Sequence, residues 1–131
     1  MEKERISAVI LKDKKILLVT GFNEEYYWTP GGKLEAGESH EQTMRRELEE
    51  EIGVKLIKMK YYFTYKGINV ITNKNQVVHC YIVNFEGEIV PRKEITKFGW
   101  FSKADFENER LKMFEEAEKN LIPKLIKDNL L

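Results

Sequence analysis

The chain has 131 residues, 42% of them apolar, enough for one compact domain over residues 1–131 built around a single core. Lys plus Arg and Asp plus Glu both number 22, so no net field draws the protein to nucleic-acid polymers or to membranes. The one cysteine, Cys80, excludes an intrachain disulfide, no apolar run approaches the ~20 residues of a membrane helix, and Met1-Glu2-Lys3-Glu4-Arg5 lacks a signal-peptide core, so a cytoplasmic location is expected.

Ser7 to Leu11 and Lys15 to Thr20 are apolar stretches around Lys12-Asp13-Lys14 and read as a β-hairpin. Glu24 to Trp28 reads as a short strand, and Pro30-Gly31-Gly32 as a turn. Ser39 to Ile52 reads as a helix, with Ser39 and Gln42 spaced as a capping box and Gly53 at the C-cap. Val54 to Tyr65 and Gln76 to Phe85 are rich in β-branched and aromatic residues and read as strands, with Asn73-Lys74-Asn75 as the turn between them. Phe98 to Phe101 is a further short strand. From Ala104 onward, Leu111, Phe114, Ala117, Leu121 and Leu125 recur at helical spacing, and Pro123 is expected to kink or split that helix. The order predicts an α+β fold, an α/β/α sandwich with a mixed β-sheet between helices.

The chemistry concentrates between Gly32 and Val54. Glu47, Glu50 and Glu51 lie at i, i+3 and i+4, so a helix puts them on one face. Three clustered carboxylates repel one another unless a cation compensates, and a hard divalent ion does so with oxygen ligands. Gly31 and Gly32 permit close backbone approach, Lys33 adds a point charge for a phosphate oxygen, and Arg46 is placed to orient Glu47 through a bidentate pair. Arg45 to Glu51 alone would be an ordinary solvated helix face. The full pattern also specifies Gly32, Glu38, Gly53 and apolar Leu48 and Val54, and its chance occurrence is on the order of one in a hundred thousand.

These residues resemble the Nudix box, G-x5-E-x7-R-E-U-x-E-E-x-G-U with U an apolar residue, and every position matches. Trp28-Thr29-Pro30-Gly31-Gly32-Lys33 is similar to the MutT-like approach to that box, and Gly99-Trp100-Phe101 extends the likeness more weakly. The resemblance implies the Nudix α/β/α fold and hydrolysis of a nucleoside diphosphate linked to another moiety, with Mg2+, or Mn2+ in its place. It implies Glu50 and Glu51 as metal ligands, Glu47 as a ligand or the general base, and Arg46 as its orienting partner. Glu47, Arg46 and Glu50 are thus the candidate catalytic set. Glu38 braces the loop or holds metal through water, and the Gly31 carbonyl is a further ligand candidate. MutT-like proteins add a glutamate from a later loop; Glu94, six residues before Trp100, is the candidate, with Glu86 and Glu88 as rivals.

The Gly31-Gly32-Lys33 stretch resembles enzymes acting on nucleoside triphosphates, so the leading expectation is cleavage to a monophosphate and pyrophosphate. ADP-ribose or another nucleotide-sugar or dinucleotide is the alternative substrate, and a nucleotide-binding regulatory module without turnover is the alternative role. MutT-like proteins often carry an arginine after the second strand; here Gly21 and Phe22 follow Thr20, which counts against oxidised guanine. Candidate substrate contacts are Lys33, Phe22, Tyr26 and Tyr62, the aromatics because every base offers a π-face. Asn120 and Glu115-Glu116 are weaker candidates for contact with a base. His79 and Cys80 alternate within a strand and read as structural, His40 reads as exposed, and no His/Cys cluster suggests zinc. The expected partner is a small nucleotide, with the chain a monomer or homodimer, and the Tyr61 to Tyr65 stretch suits a dimer interface as easily as a base pocket.

Overall fold

Alternation along the first strand sets the layering. In β1 (Lys3–Val9) Ile6 and Ala8 face one core cluster and Val9 the other, as the two-residue period of a strand requires. A computed structural model describes residues 3–69 and 72–131; Met1 and Glu2 of the charged N-terminal stretch, and the side chain of Glu115, lie outside the described residues.

The remaining elements are β2 (Leu11–Lys12), β3 (Lys15–Gly21), β4 (Gly31–Lys33), α1 (His40–Ile52), β5 (Lys55–Asn69), β6 (Lys74–Glu86), β7 (Ile95–Ser102), α2 (Lys103–Glu107) and α3 (Glu115–Lys127). They form a four-stranded sheet in the order β4-β1-β6-β5 and a three-stranded sheet in the order β2-β3-β7. The first is mixed, because β1 pairs parallel with β6 and antiparallel with β4. One core cluster joins Ile6, Ala8, Leu17 and Val19 to Met44, Leu48 and Ile52 of α1. The other joins Val9, Ile16, Leu18, Val78 and Cys80 to Leu121, Ile122 and Leu125 of α3. The sheets therefore lie between helical layers, and burial is divided over two clusters rather than one.

Several boundaries differ from the sequence expectation. The Ser7 to Leu11 stretch is divided between the sheets: β1 ends at Val9, and β2 pairs with β3 across Asp13 and Lys14. Both turn residues have positive φ, the backbone of a two-residue hairpin. Glu24 to Trp28 makes only isolated bridges, Tyr27 to Met113 and Trp28 to Val19. Pro30 bends the chain, but Gly31–Lys33 then pairs with Arg5–Ser7 as β4 instead of turning. An added Cβ on Gly31, whose φ is +138°, would stand 2.0 Å from the Ile6 carbonyl oxygen, so this strand approaches β1 on glycine. The hairpin of β5 and β6 is longer than expected, and Lys74 and Asn75 belong to β6 rather than to the turn.

The C-terminal helix is not continuous from Ala104. It divides upstream of Pro123, with residues 108–114 between α2 and α3, and α3 runs through Pro123. Bridging of Met113 to Tyr27, with the Tyr27 N–H donating to the Lys112 carbonyl, draws that segment into strand-like contact.

α1 is locally determined. The Ser39 hydroxyl accepts from the Gln42 N–H, the Gln42 side chain accepts from the Ser39 N–H, and Gly53 closes the helix at φ +67°. Met44, Leu48 and Ile52 recur every four residues and bury one face. Ser39→Ala removes one half of the cap and is expected to destabilise the fold by about 1 kcal/mol in urea unfolding; an unchanged midpoint would show that the cap is dispensable.

Candidate active site

Docking of α1 against β4 brings the predicted carboxylates to one edge of the mixed sheet. Glu51 is buried at 4% exposure, and its Oε1 accepts the Gly31 N–H at 2.8 Å. Glu47 lies beside Gly32, where an added Cβ would stand 2.3 Å from the carboxylate carbon. The two glycines therefore let the backbone of β4 lie directly against two acid groups.

Arg46 is the hub of the cluster. Its Nε and Nη2 donate to the two oxygens of Glu38 at 2.8 and 2.9 Å, its Nη1 donates to Glu47 at 2.7 Å, and the same atom lies 3.5 Å from Glu50. The bidentate pair expected with Glu47 is thus made with Glu38, because the Glu38 loop folds back across the helix while Glu47 offers one oxygen from the adjacent position. Glu38 also accepts the Thr43 hydroxyl and the Glu35 N–H, which ties the loop to the helix.

The electrostatics divide the acids. The Arg46 hydrogen bonds hold the Glu38 carboxyl down to about 2. Burial pushes Glu51 up to about 7, against the Gly31 N–H and the Arg5 charge, with Glu47 and Glu94 adding repulsion. Burial also raises Glu47, while Arg46 opposes the rise. Glu50 is more open and lies 3.6 Å from Lys93.

The segment between β6 and β7 crosses the C-terminal end of α1. Its Val90 and Arg92 N–H groups donate to the Ile52 and Glu51 carbonyls, and the Arg92 guanidinium closes against Gly53. This crossing brings Glu94 close enough for its charge to act on Glu51. Of its sequence rivals, Glu86 is ion-paired with Lys55, and Glu88 is exposed.

The substrate candidates separate. Lys33 closes β4, and its carbonyl accepts from Arg46. Phe22 is 98% exposed at φ +62°, next to Gly21, which backs onto the Glu94 carbonyl. Tyr26 stacks on Phe114 at 5.3 Å, and Trp28 meets Phe114 at 6.0 Å. Tyr62 faces the α3 layer, where its hydroxyl donates to Asp128 and Lys124 lies over its ring. Asn120 donates to the Glu116 carbonyl within α3.

Sequence reasoning passed over Arg5 and Lys93. Arg5 donates to the Thr29 carbonyl at 2.7 Å and its charge reaches both Glu47 and Glu51. Nothing local marks it, since its place depends on the register of β1 against β4. Lys93 is marked in the sequence only by its place next to Glu94.

A buried carboxylate raised toward neutrality, two further acids and a backbone in contact with them form an all-oxygen donor set that suits a hard dication. The profile of the NUDIX domain family matches residues 1–125. The chain belongs to the Nudix family. Nudix hydrolases are pyrophosphohydrolases that generally use a divalent metal and act on small nucleotide substrates, and the chain is an enzyme of this kind. It is 28% identical over 114 residues to the uncharacterized Nudix hydrolase YvcI of Bacillus subtilis, covering 80% of this chain and 70% of that one. It is 25% identical over 92 residues to an 8-oxo-dGTP diphosphatase of Buchnera aphidicola, covering 67% and 68%. Among solved structures it is similar to MutT from a study of the Aliivibrio salmonicida and Vibrio cholerae proteins, at TM-score 0.77 and 26% identity over 98% of this chain and 99% of that one. The fold is the Nudix fold, and among the described residues no helix is long and apolar enough to cross a membrane.

Burial of Glu51 has a pH signature. An acid raised by the fold costs nothing while it is protonated in both folded and unfolded chains, and penalises the native state once ionised. The penalty is absent below the ordinary value of 4.5 and complete above about 7. In metal-free protein, Glu51→Gln is expected to raise stability by up to about 3 kcal/mol near pH 8 and by little near pH 4. Equal effects at the two pH values, measured by urea unfolding with chelator present, would exclude burial as the cause.

Proposed function

We propose that this Nudix enzyme hydrolyses a nucleoside triphosphate to a monophosphate and pyrophosphate. The observation that carries this reading is the charge of the groove beside Glu50. It has a volume of about 550 Å³ and is lined by Arg45, Arg46, Arg92 and Lys93 along with Glu49 and Glu50. Four cations beside the acids suit a substrate with several phosphates better than one that carries a neutral sugar there. The similarity to proteins named 8-oxo-dGTP diphosphatase and MutT supports the same class.

In this reading Glu50 and Glu51 hold Mg2+, or Mn2+ in its place, with the Gly31 carbonyl and Glu94 as further ligands, and Glu47 serves as the general base. When bound, the ion neutralises phosphate charge and acidifies water. Glu47 takes the proton of the attacking water, a role suited to a half-buried carboxyl raised from its ordinary value and held in place by Arg46. Water oxygen bonds to phosphorus as the anhydride P–O bond breaks, and pyrophosphate leaves with that electron pair. Arg46 keeps Glu38 and Glu47 in register, Arg5 adds positive charge beside Glu47 and Glu51, and the exposed Lys33 supplies a cation for the substrate phosphates. Tyr26, with Trp28 and Phe114 behind it, and the exposed Phe22 supply surfaces for the base. Tyr62 is left out, since Asp128 and Lys124 already engage its hydroxyl and ring.

A panel of canonical and oxidised triphosphates, ADP-ribose and dinucleoside polyphosphates, incubated with Mg2+ and resolved by ion-exchange chromatography, tests the reading. Monophosphate and pyrophosphate from a triphosphate are the expected leading products. Preferred release of AMP and ribose 5-phosphate from ADP-ribose would overturn the substrate class. Glu51→Gln is expected to lower turnover on the order of 10²–10³-fold, a loss like that of other electrostatic catalytic groups. Near wild-type turnover in that folded variant would overturn the metal site.

A further inference from the structure

The two histidines of the chain are 39 positions apart, yet they meet in the fold. His40, the first residue of α1, and His79 of β6 have ring centroids 4.7 Å apart, tilted by 37°. Glu4 of β1 places an oxygen 2.8 Å from His79 Nε2. One ligand atom from each of the three residues lies within 4.8 Å of the other two.

Hydroxyl groups orient both rings. Tyr81 Oη lies 2.6 Å from His40 Nδ1, and Thr64 Oγ1 lies 3.0 Å from His79 Nδ1. Outer hydrogen bonds of this kind fix ring orientation and tautomer where histidine ligates a metal. Here they engage the Nδ1 atoms, so the donors would be Nε2 of each ring and the Glu4 carboxylate, with a metal displacing the proton now between His79 Nε2 and Glu4. Both rings are half-buried, and Glu4 is exposed, so the cluster opens to solvent on one side.

We propose that Glu4, His40 and His79 form a binding site for a borderline dication of the zinc type, with water as the fourth ligand, tying β1 and β6 to the start of α1. Two imidazoles and a carboxylate suit tetrahedral zinc, whereas the acids at the other end of α1 suit magnesium. The two sites therefore differ in ligand chemistry as well as in place, and this one stands independently of the substrate reading. The sequence reading found no His/Cys cluster because the residues come from three separate elements, and their approach depends on the parallel register of β1 and β6, which sets Ile6 opposite His79.

The test uses untagged, full-length protein in saturating Mg2+. Titration with Zn2+ by calorimetry is expected to show one Zn2+ bound per chain, and Co2+ in its place is expected to give the intense visible absorption of a low-symmetry nitrogen-ligated site. His79→Gln and His40→Gln should each weaken Zn2+ binding on the order of 100-fold, while Glu51→Gln leaves it intact. Wild-type protein provides a measurement that needs no variant. His40 and His79 are the only histidines, so diethyl pyrocarbonate modification followed by the ultraviolet absorbance of N-carbethoxyimidazole reads this cluster alone, and Zn2+ should protect both rings. Zn2+ affinity unchanged in folded His79→Gln, loss of Zn2+ in Glu51→Gln, absence of Zn2+ binding, or modification indifferent to Zn2+ would each overturn the proposal.

Discussion

The site depends on one contact, the hydrogen bond from the Gly31 N–H to the buried Glu51 carboxylate. It joins the end of α1 to the edge strand β4 at a point where water is largely excluded, so the charge of Glu51 is only partly offset by the protein itself. Burial lifts its pKa to about 7. A structure that merely needed a helix against a strand would be better served by an apolar residue there. An acid at this place is therefore costly to the fold when ionised and gains from any neighbouring positive charge.

Three features are needed to sustain that contact. Met44, Leu48 and Ile52 dock α1 on the sheet, and their burial offsets the cost of ordering the helix. Gly31 and Gly32 bring the strand within reach, since a side chain at either position would collide with Ile6 or Glu47. Arg46 then disperses the repulsion that remains. Its fork on Glu38 keeps that acid ionised and the loop closed, and its third contact steadies Glu47. The acids thus differ in kind: Glu38 is held ionised by the Arg46 fork, while burial raises Glu47 and Glu51.

Where the sequence reading went astray, contacts between distant segments overrode local preference. Glu24 to Trp28 has the composition of a strand, but it gains only single bridges to Val19 and Met113, so no ladder forms. The same pairing at Met113 interrupts the helical pattern that begins at Ala104. Pro123 does not end α3, even though proline is unfavourable inside a helix. The aromatic run from Tyr61 to Tyr65 could not be assigned to a face from alternation, because the β5–β6 register shifts between Tyr61 and Phe63. That irregularity leaves Tyr61 beside Tyr81 on the α1 side and turns Tyr62 and Phe63 toward α3. His40, expected to be exposed, is half-buried because β6 brings Tyr81 and His79 against it.

By itself the sequence determined what is local: the cap at Ser39, the glycine stop at Gly53, the apolar stripe of α1, and the common helix face of Glu47, Glu50 and Glu51. Helical geometry and backbone sterics act over a few residues, so spacing alone displays them. The fold class was legible for the same reason, from the order of periodic segments. Only the tertiary structure decided which acid is buried, that Arg46 forks onto Glu38, that Arg5 and Lys93 stand beside the acids, and that His40 meets His79. Those facts depend on strand register and on the path of the segment before β7, and both arise from long-range packing that no local window contains. The buried Glu51 lies at the junction of the two: helical spacing placed it among the acids, and docking of α1 against β4 buried it.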